Sequence, residues 1–367
     1  MERKHKMDTL LLLITLVLIA IGLIMVLSSS SYDGLINYDN PLFYFSKQML
    51  IGAGGIGLML WGAAFPMEHL RKCAVPAFLT IMAMLVFTLF FGVEVNGSRR
   101  WLKIAGFQFA PAELAKPIFV IFYAHLLTVL GKKRIQKIGW FLFCSGMLIV
   151  MVLPIVIEDL GTGVIVFATL FGMLAIAGAR TSHLAALVII SFLGGCAAIG
   201  MSSYRMDRIH YWLDPYDDPM KKGYQAIQSF YAIGSGGLFG VGLGAGIQKL
   251  LILPEQQTDM IFSVIAEEMG FVGAGFVILL FALFLWRGML AAFQLKDKFK
   301  QFTAFGLTTY IVVQAAINIA VTVGFFPITG VPLPFISYGR TSFLFVAITV
   351  GLLLGLTRYT IEPKEKD

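Results

Sequence analysis

The chain has 367 residues, is 58% hydrophobic, carries charge on only 13% of its positions and has a mean hydropathy of +0.84. A soluble domain of that size could not cover itself with so few charges, and continuous apolar runs of about twenty residues are not the alternating ten-residue strands of a membrane barrel. The composition therefore describes an all-α polytopic membrane protein, read as one transmembrane domain over residues 1–367.

A net charge of +7 is modest, and no basic tract alternates with aromatics, which excludes nucleic acid as a partner. Cys73, Cys144 and Cys196 lie scattered in or beside apolar spans, so neither a disulfide framework nor a zinc site is expected. The five histidines are equally dispersed.

In chain order, a short basic tail with Arg3, Lys4 and Lys6 precedes a first apolar span, 10–27. No small-residue cleavage pattern stands before Ser28–Ser31, so this span reads as an uncleaved helix. Further spans are expected at 45–65, 74–92, 111–130, 138–157, 160–179, 183–201, 261–286, 302–324 and 341–357, ten in all. Pro154, Glu158 and Asp159 leave only a tight turn between the fifth and sixth. The longest water-compatible segment, 202–260, separates the seventh from the eighth.

Most of the 28 lysines and arginines then fall on one side, which predicts cytoplasmic termini and an outward 202–260 loop. The exceptions include Arg99, Arg100, Lys103, Lys116, Arg205, Arg208, Lys249 and Arg340. Outward cations at the mouths of spans suit an anionic ligand such as a lipid phosphate. They suit equally a headgroup contact with membrane lipids, or pairing with Asp207, Asp214, Asp217 and Asp218.

Pro111 suits the first turn of the fourth span, which puts Glu113 and Lys116 three residues apart on one face. Ionisable groups just inside an apolar zone face either a cavity or each other. Asp259 is expected in the first turn of the eighth span, where a helix N-terminus favours an ionised carboxylate serving as cap, general base or divalent-metal ligand. Glu267 lies two turns deeper near the same face, while Glu268 points elsewhere. The glycine run 234–246 contains no nucleotide motif and suits tight turns or close approach to a helix or ligand. Pro327, Pro332 and Pro334 suggest a rigid re-entrant connection before the tenth span.

Six segments recur together in order: Asn96-Gly-Ser-Arg-Arg-Trp101, Pro111-Ala-Glu-Leu-Ala-Lys116, Asp159-Leu-Gly-Thr162, Gly234-Ser-Gly-Gly-Leu-Phe-Gly240, Leu253-Pro-Glu-Gln-Gln-Thr-Asp259 and Pro332-Leu-Pro-Phe-Ile-Ser-Tyr-Gly339. Over about residues 10 to 358 they resemble the bacterial SEDS proteins of shape, elongation, division and sporulation. Arg208 to Pro219 and Gln248-Lys249 look more like the FtsW and SpoVE branch than RodA. The resemblance implies a ten-span peptidoglycan glycosyltransferase that polymerises lipid II at the outer face of the cytoplasmic membrane, working with a class B penicillin-binding protein. It implies inverting attack of the GlcNAc 4-hydroxyl on MurNAc C1, with undecaprenyl pyrophosphate leaving. Asp259 matches the family's essential aspartate, as base or through Mg²⁺ or Mn²⁺. Lys116, Glu113, Arg99 and Arg100 match its charged groups, and Asp159, Lys249, Glu255 and Glu267 are further expected substrate contacts. A lipid II flippase is the alternative. The chain departs from the family pattern at Ile157-Glu158, Ala112 and Arg340, where the family has Gln-Pro, Ser and Gly.

Overall fold

A computed structural model describes residues 6–95, 98–104, 107–250 and 252–360. Each expected span coincides with a helix: α1 (Thr9–Tyr38), α2 (Phe43–Ala64), α3 (Met67–Phe91), α4 (Pro111–Ile135), α5 (Ile138–Glu158), α6 (Leu160–Ile176), α7 (Thr181–Gly200), α10 (Ile261–Gln294), α11 (Lys298–Thr322) and α12 (Arg340–Thr357). Eight of them are long and apolar enough to cross a membrane. The 17-residue α6 is shorter, and α2 is diluted by Lys47, Gln48 and its glycines. In hydrocarbon the backbone must satisfy itself, so these apolar sequences close their hydrogen bonds within each helix.

Small residues let the helices approach. A Cβ added at Gly351 of α12 would stand 2.2 Å from the Met59 carbonyl oxygen of α2. At one end of the bundle Asp8 caps α1, accepting from the Leu11 amide at 2.9 Å. It also takes the Arg287 guanidinium at 2.6 Å, and its own amide donates to Thr357 Oγ1 at 3.0 Å. The two ends of the described chain therefore meet there. α1 runs past the expected Leu27 because the hydroxyls of Ser30 and Ser31 bond back to the carbonyls of Val26 and Leu27, which keeps a serine run helical.

The other end of the bundle adds two features to the all-α expectation. Between α3 and α4 the chain forms three antiparallel strands, β1 (Val93–Val95), β2 (Ser98–Ile104) and β3 (Phe107–Phe109). Glu94 pairs with Arg99, and Lys103 with Gln108. The segment is rich in Val, Ile, Trp and Phe, which favour a pleated surface. Asn96 and Gly97 of the first motif lie outside the described residues. The 202–260 segment is also not a plain loop. It contains the amphipathic α8 (Ser203–Leu213) and α9 (Tyr224–Gly236).

The eighth span is a helix broken at Gly270, whose φ is 66°. Residues 237–242 bridge the break as a strap. Val241 and Gly242 donate to the Glu267 and Glu268 carbonyls at 3.0 Å, while Phe271 and Val272 donate to Gly237 and Leu238. Gly240 sits at φ 82°, where a Cβ would lie 2.1 Å from the Glu268 carbonyl oxygen, so this crossing requires glycine. The glycine run is thus used for approach to a helix. The proline-bearing connection before α12 is buried at Val331, Leu333, Phe335 and Ile336. Its carbonyls at Val331 and Pro332 accept from Asn318 and Gln314 of α11, so irregular backbone at this depth is satisfied by protein.

Candidate active site

The N-terminal ends of α4, α6 and α12, with β2, α8 and the turns before α10 and α12, enclose a cavity of about 610 Å³. Asp259 lines it, as do Arg99, Arg100, Glu113, Asp159 and Glu255, so the fold brings six of the expected site residues together.

Asp259 stands before the α10 N-cap, Met260, and not in the first helical turn. Asn318 Nδ2 fixes its carbonyl oxygen at 2.7 Å. Asp259 is 8% exposed, and its carboxylate accepts from the Thr258 hydroxyl at 3.2 Å. Among the described residues no cation reaches it at ion-pair distance. Burial and then the neighbouring Glu255 charge push its pKa up to about 7, against the smaller opposing pull of its own backbone amide, Thr258 and Arg208. The expected helix-dipole stabilisation of an ionised carboxylate is corrected: desolvation outweighs it, because the side chain lies outside the first turn. Glu255 is held at φ 52°, an uncommon conformation for a non-glycine residue, and accepts from the same Thr258 hydroxyl at 2.7 Å.

The β-sheet supplies the first cations. The Arg99 amide donates to Glu158 Oε2 at 2.6 Å, and its guanidinium reaches Glu94 at 3.4 Å. Arg100 donates to the Glu158 carbonyl at 2.9 Å and pairs with Asp159 at 3.4 Å. Asp159 is itself the N-cap of α6, accepting from the Thr162 amide and hydroxyl at 3.1 and 2.9 Å. Capping α6 and holding Arg100 are one carboxylate's work.

Lys116 is placed differently from expectation. Its ammonium is buried, 2.9 Å from Glu113 and 2.7 Å from Gln314 Oε1, and it does not line the cavity. Glu113 lines the cavity above it, with its other oxygen accepting from Ser342 at 2.7 Å. Lys116 therefore reaches the cavity only through Glu113. Lys249 and Glu267 take a larger correction, for both lie outside the cavity lining. Lys249 forms a closed ion pair with Glu268 at 2.8 Å, shared with Ser28. Glu267 Oε1 accepts from the Ile247 and Gln248 amides at 2.8 and 3.2 Å. The backbone amides of Gly244, Ile247 and Gln248, which follow the strap, find their acceptors in these two acids.

A metal has a donor set of modest size here. No group of three or more His, Cys, Asp or Glu side chains converges among the described residues. Asp259 and Glu255 nevertheless share the Thr258 hydroxyl, a set of hard oxygens in which burial first and the Glu255 charge second raise the Asp259 pKa. That chemistry fits Mg²⁺ or Mn²⁺ completed by water and substrate oxygens.

The family model described as cell cycle protein, for FtsW, RodA and SpoVE, matches residues 8–362. The chain belongs to this FtsW/RodA/SpoVE family. Stage V sporulation protein E of Bacillus subtilis (strain 168) is 37% identical over 367 residues, covering 98% of this chain and 99% of its own. A probable peptidoglycan glycosyltransferase FtsW of Geobacter sp. (strain M18) is 36% identical over 366 residues, 97% of this chain and 98% of that one. Both are of the FtsW and SpoVE type that Arg208–Pro219 pointed to. Among solved structures, a chain of a peptidoglycan synthase complex that coordinates polymerization and crosslinking superposes with a TM-score of 0.80 at 26% identity, covering 97% of this chain and 99% of that one. Thermus thermophilus RodA shares the fold, with a TM-score of 0.72 at 23% identity over 97% and 98% of the two chains.

Within this family fold, Arg208, Tyr204, Glu158 and Arg340 also line the cavity; the sequence placed Arg208 and Arg340 only among the outward cations suited to an anionic ligand, and gave Tyr204 and Glu158 no site role. Arg208 donates to the Ile328 carbonyl at 2.7 Å and to the Tyr204 hydroxyl. The signal was present: Tyr204 and Arg208 lie four apart on the amphipathic α8, and so share a face.

Proposed function

We propose that the chain is an inverting peptidoglycan glycosyltransferase that polymerises lipid II. The observation that carries this reading is Asp259, a buried carboxylate with no cation at ion-pair distance among the described residues, raised to about 7 and facing an arginine-lined cavity. A general base works best with a pKa near the working pH. Its carboxylate takes the proton of the acceptor's GlcNAc 4-hydroxyl, and that oxygen bonds to C1 of the donor MurNAc. The C1–O bond to pyrophosphate breaks, and its electron pair leaves with undecaprenyl pyrophosphate. Arg99, Arg100 and Arg208 line the cavity that receives the departing charge, Arg100 and Arg208 held there by protein carbonyls, and their fields offset that charge at long range. Mg²⁺ or Mn²⁺ held by Asp259, Glu255 and the Thr258 hydroxyl would add Lewis-acid stabilisation of the pyrophosphate oxygens.

In this reading the protein makes ten crossings of the bacterial cytoplasmic membrane, with both termini cytoplasmic and the cavity outside. Support comes from the Asp8–Thr357 contact at the end of the bundle away from Asp259, and from the cations at that end: Arg71 and Lys72 beginning α3, and Lys132, Lys133 and Arg134 ending α4. The partner would be a class B penicillin-binding protein, supported by the likeness to the synthase complex.

The deciding experiment gives purified lipid II to purified protein, with Mg²⁺, Mn²⁺ or chelator. The wild-type chain makes glycan polymer, and Asp259→Asn loses at least about a thousandfold in rate. Asp259→Asn polymerising at the wild-type rate would sink the assignment, and lipid II crossing liposomes without polymer would put a flippase in its place.

A further inference from the structure

We infer that Arg340 is the ligand-reading cation of the cavity, binding the diphosphate of the polyprenyl-linked substrate. This rests on the glycosyltransferase reading and names a residue beyond it. Four arginines line the cavity, and three are already committed to protein partners. The Arg99 guanidinium is tied to Glu94, that of Arg100 to the Glu158 carbonyl and Asp159, and that of Arg208 to the Ile328 carbonyl and Tyr204. Arg340 is exposed and, among the described residues, has neither an ion pair nor a side-chain hydrogen bond.

The balance of charge makes that difference matter. The acids lining the cavity are Glu113, Glu158, Asp159, Glu255 and Asp259. Lys116 neutralises Glu113 from below and Arg100 pairs with Asp159, whereas Glu158 is met by the Arg99 backbone amide and the Arg99 guanidinium pairs with Glu94. Arg208 is the remaining committed cation, in the same cavity as Glu255 and Asp259. A diphosphate brings at least two further negative charges. Arg340 alone has all five guanidinium N–H donors unspent, in the planar fork that grips phosphate bidentately.

The place of Arg340 in the fold fits the same role. It is the first residue of α12, after Gly339, which offers no side-chain cap, so the positive end of α12 points the same way. Two residues on, Ser342 bonds Glu113 at 2.7 Å and fixes that helix end against the Glu113–Lys116 pair. The backbone carrying Arg340 is therefore held while its side chain stays available. An arginine merely solvated at a headgroup layer would share the exposure, but it would not answer to the substrate's phosphates.

The test compares the full-length wild type with Arg340→Gln and Arg340→Lys in detergent, using lipid II as substrate and inorganic pyrophosphate as inhibitor at several salt concentrations. Arg340→Gln raises KM and the pyrophosphate inhibition constant roughly tenfold, changes kcat less than about threefold, and flattens the salt dependence. Arg340→Lys falls between the two. The melting temperature stays within about 1 °C of wild type, because no protein partner is lost. Unchanged KM and pyrophosphate inhibition overturn the assignment, as does a kcat loss with KM intact. If the wild type makes no polymer, the glycosyltransferase reading falls by itself. Pyrophosphate-induced thermal stabilisation, present in wild type and lost in Arg340→Gln, then still decides whether Arg340 holds the anion.

Discussion

Two buried lysine–glutamate pairs lie among the described residues, and spacing along the chain announces only one of them. Lys116 meets Glu113 at 2.9 Å, and Lys249 meets Glu268 at 2.8 Å. The first pair is open on one side: the Glu113 side chain is 13% exposed, lines the cavity and links on to Ser342 and Gln314 through the network. The second is closed. The Glu268 side chain is 0% exposed, and its oxygens are consumed by Lys249, Ser28 and the Gly244 amide. A buried cation can serve a substrate only if its partner faces that substrate. Otherwise it holds the fold.

The largest effect expected from this contrast is on stability at the closed pair. Lys249→Ala leaves the Glu268 carboxylate buried with only Ser28 and the Gly244 amide, and should cost about 3–5 kcal/mol in thermal unfolding. Lys249→Met with Glu268→Met together should recover most of that, because the strap keeps its backbone bonds to the Glu267 and Glu268 carbonyls. A Lys249→Ala chain that melts normally but makes no polymer breaks the comparison, since Lys249 would then be acting in the chemistry.

At the open pair the effect moves from stability to rate. Lys116→Met frees Glu113 to carry an uncompensated charge into the cavity and should slow polymerisation about a hundredfold. Adding Glu113→Gln should restore the melting temperature but not the rate. If the double variant regains activity, Lys116 is only a counter-charge, and the two pairs are alike.

The contrast between the pairs also marks what was legible in the sequence. Length and apolarity located the helices at all ten expected positions, eight of them long and apolar enough to cross a membrane, because a span must supply its own backbone bonds and so declares itself. Spacing of three residues on a helix announced Glu113–Lys116, and the helix then delivered the contact. Lys249 was assigned to the substrate because nothing local says where a loop lysine turns. Its partner is fixed by the break at Gly270, a tertiary event. Arg208 was read only as one of several outward cations for the same reason, since its carbonyl partner at Ile328 is 120 residues away. The strands at 93–109 were masked by the helical context around them. Asp259 was found, but its charge state was misjudged: the capping argument knew the nearby helix end and not the burial.

That charge state predicts the next effect. A carboxyl group with a folded pKa of about 7 binds its proton more tightly in the folded chain than in the unfolded one. Stability therefore falls as pH rises from the ordinary carboxylate range through about 7, and the cost is fully present above that. Asp259→Asn removes it and should raise stability at pH 8 by about 2 kcal/mol, with little gain at pH 4. The wild-type rate should climb over the same interval, as the base ionises. A variant whose melting temperature at pH 8 is no higher than wild type would show that Asp259 is already compensated.

The smallest effect comes from the carboxylate pair that has no lysine. Asp259 and Glu255 share one hydroxyl where the other two glutamates each hold an ammonium, and Glu255 is the second cause of the raised pKa, after burial. Glu255→Gln keeps the shape and the Thr258 contact but removes the like charge. The midpoint of the pH–rate curve should then move below 7, and the rate at pH 6 should rise relative to that at pH 8. The move stays small, because burial is the larger cause and survives the substitution. The same variant should need more Mg²⁺ or Mn²⁺ for half-maximal rate if Glu255 is a ligand, which separates its two roles in one titration. A midpoint that rises instead would mean Glu255 supports the ionised form of Asp259 through the shared hydroxyl, and the acid pair would then behave like the open lysine pair.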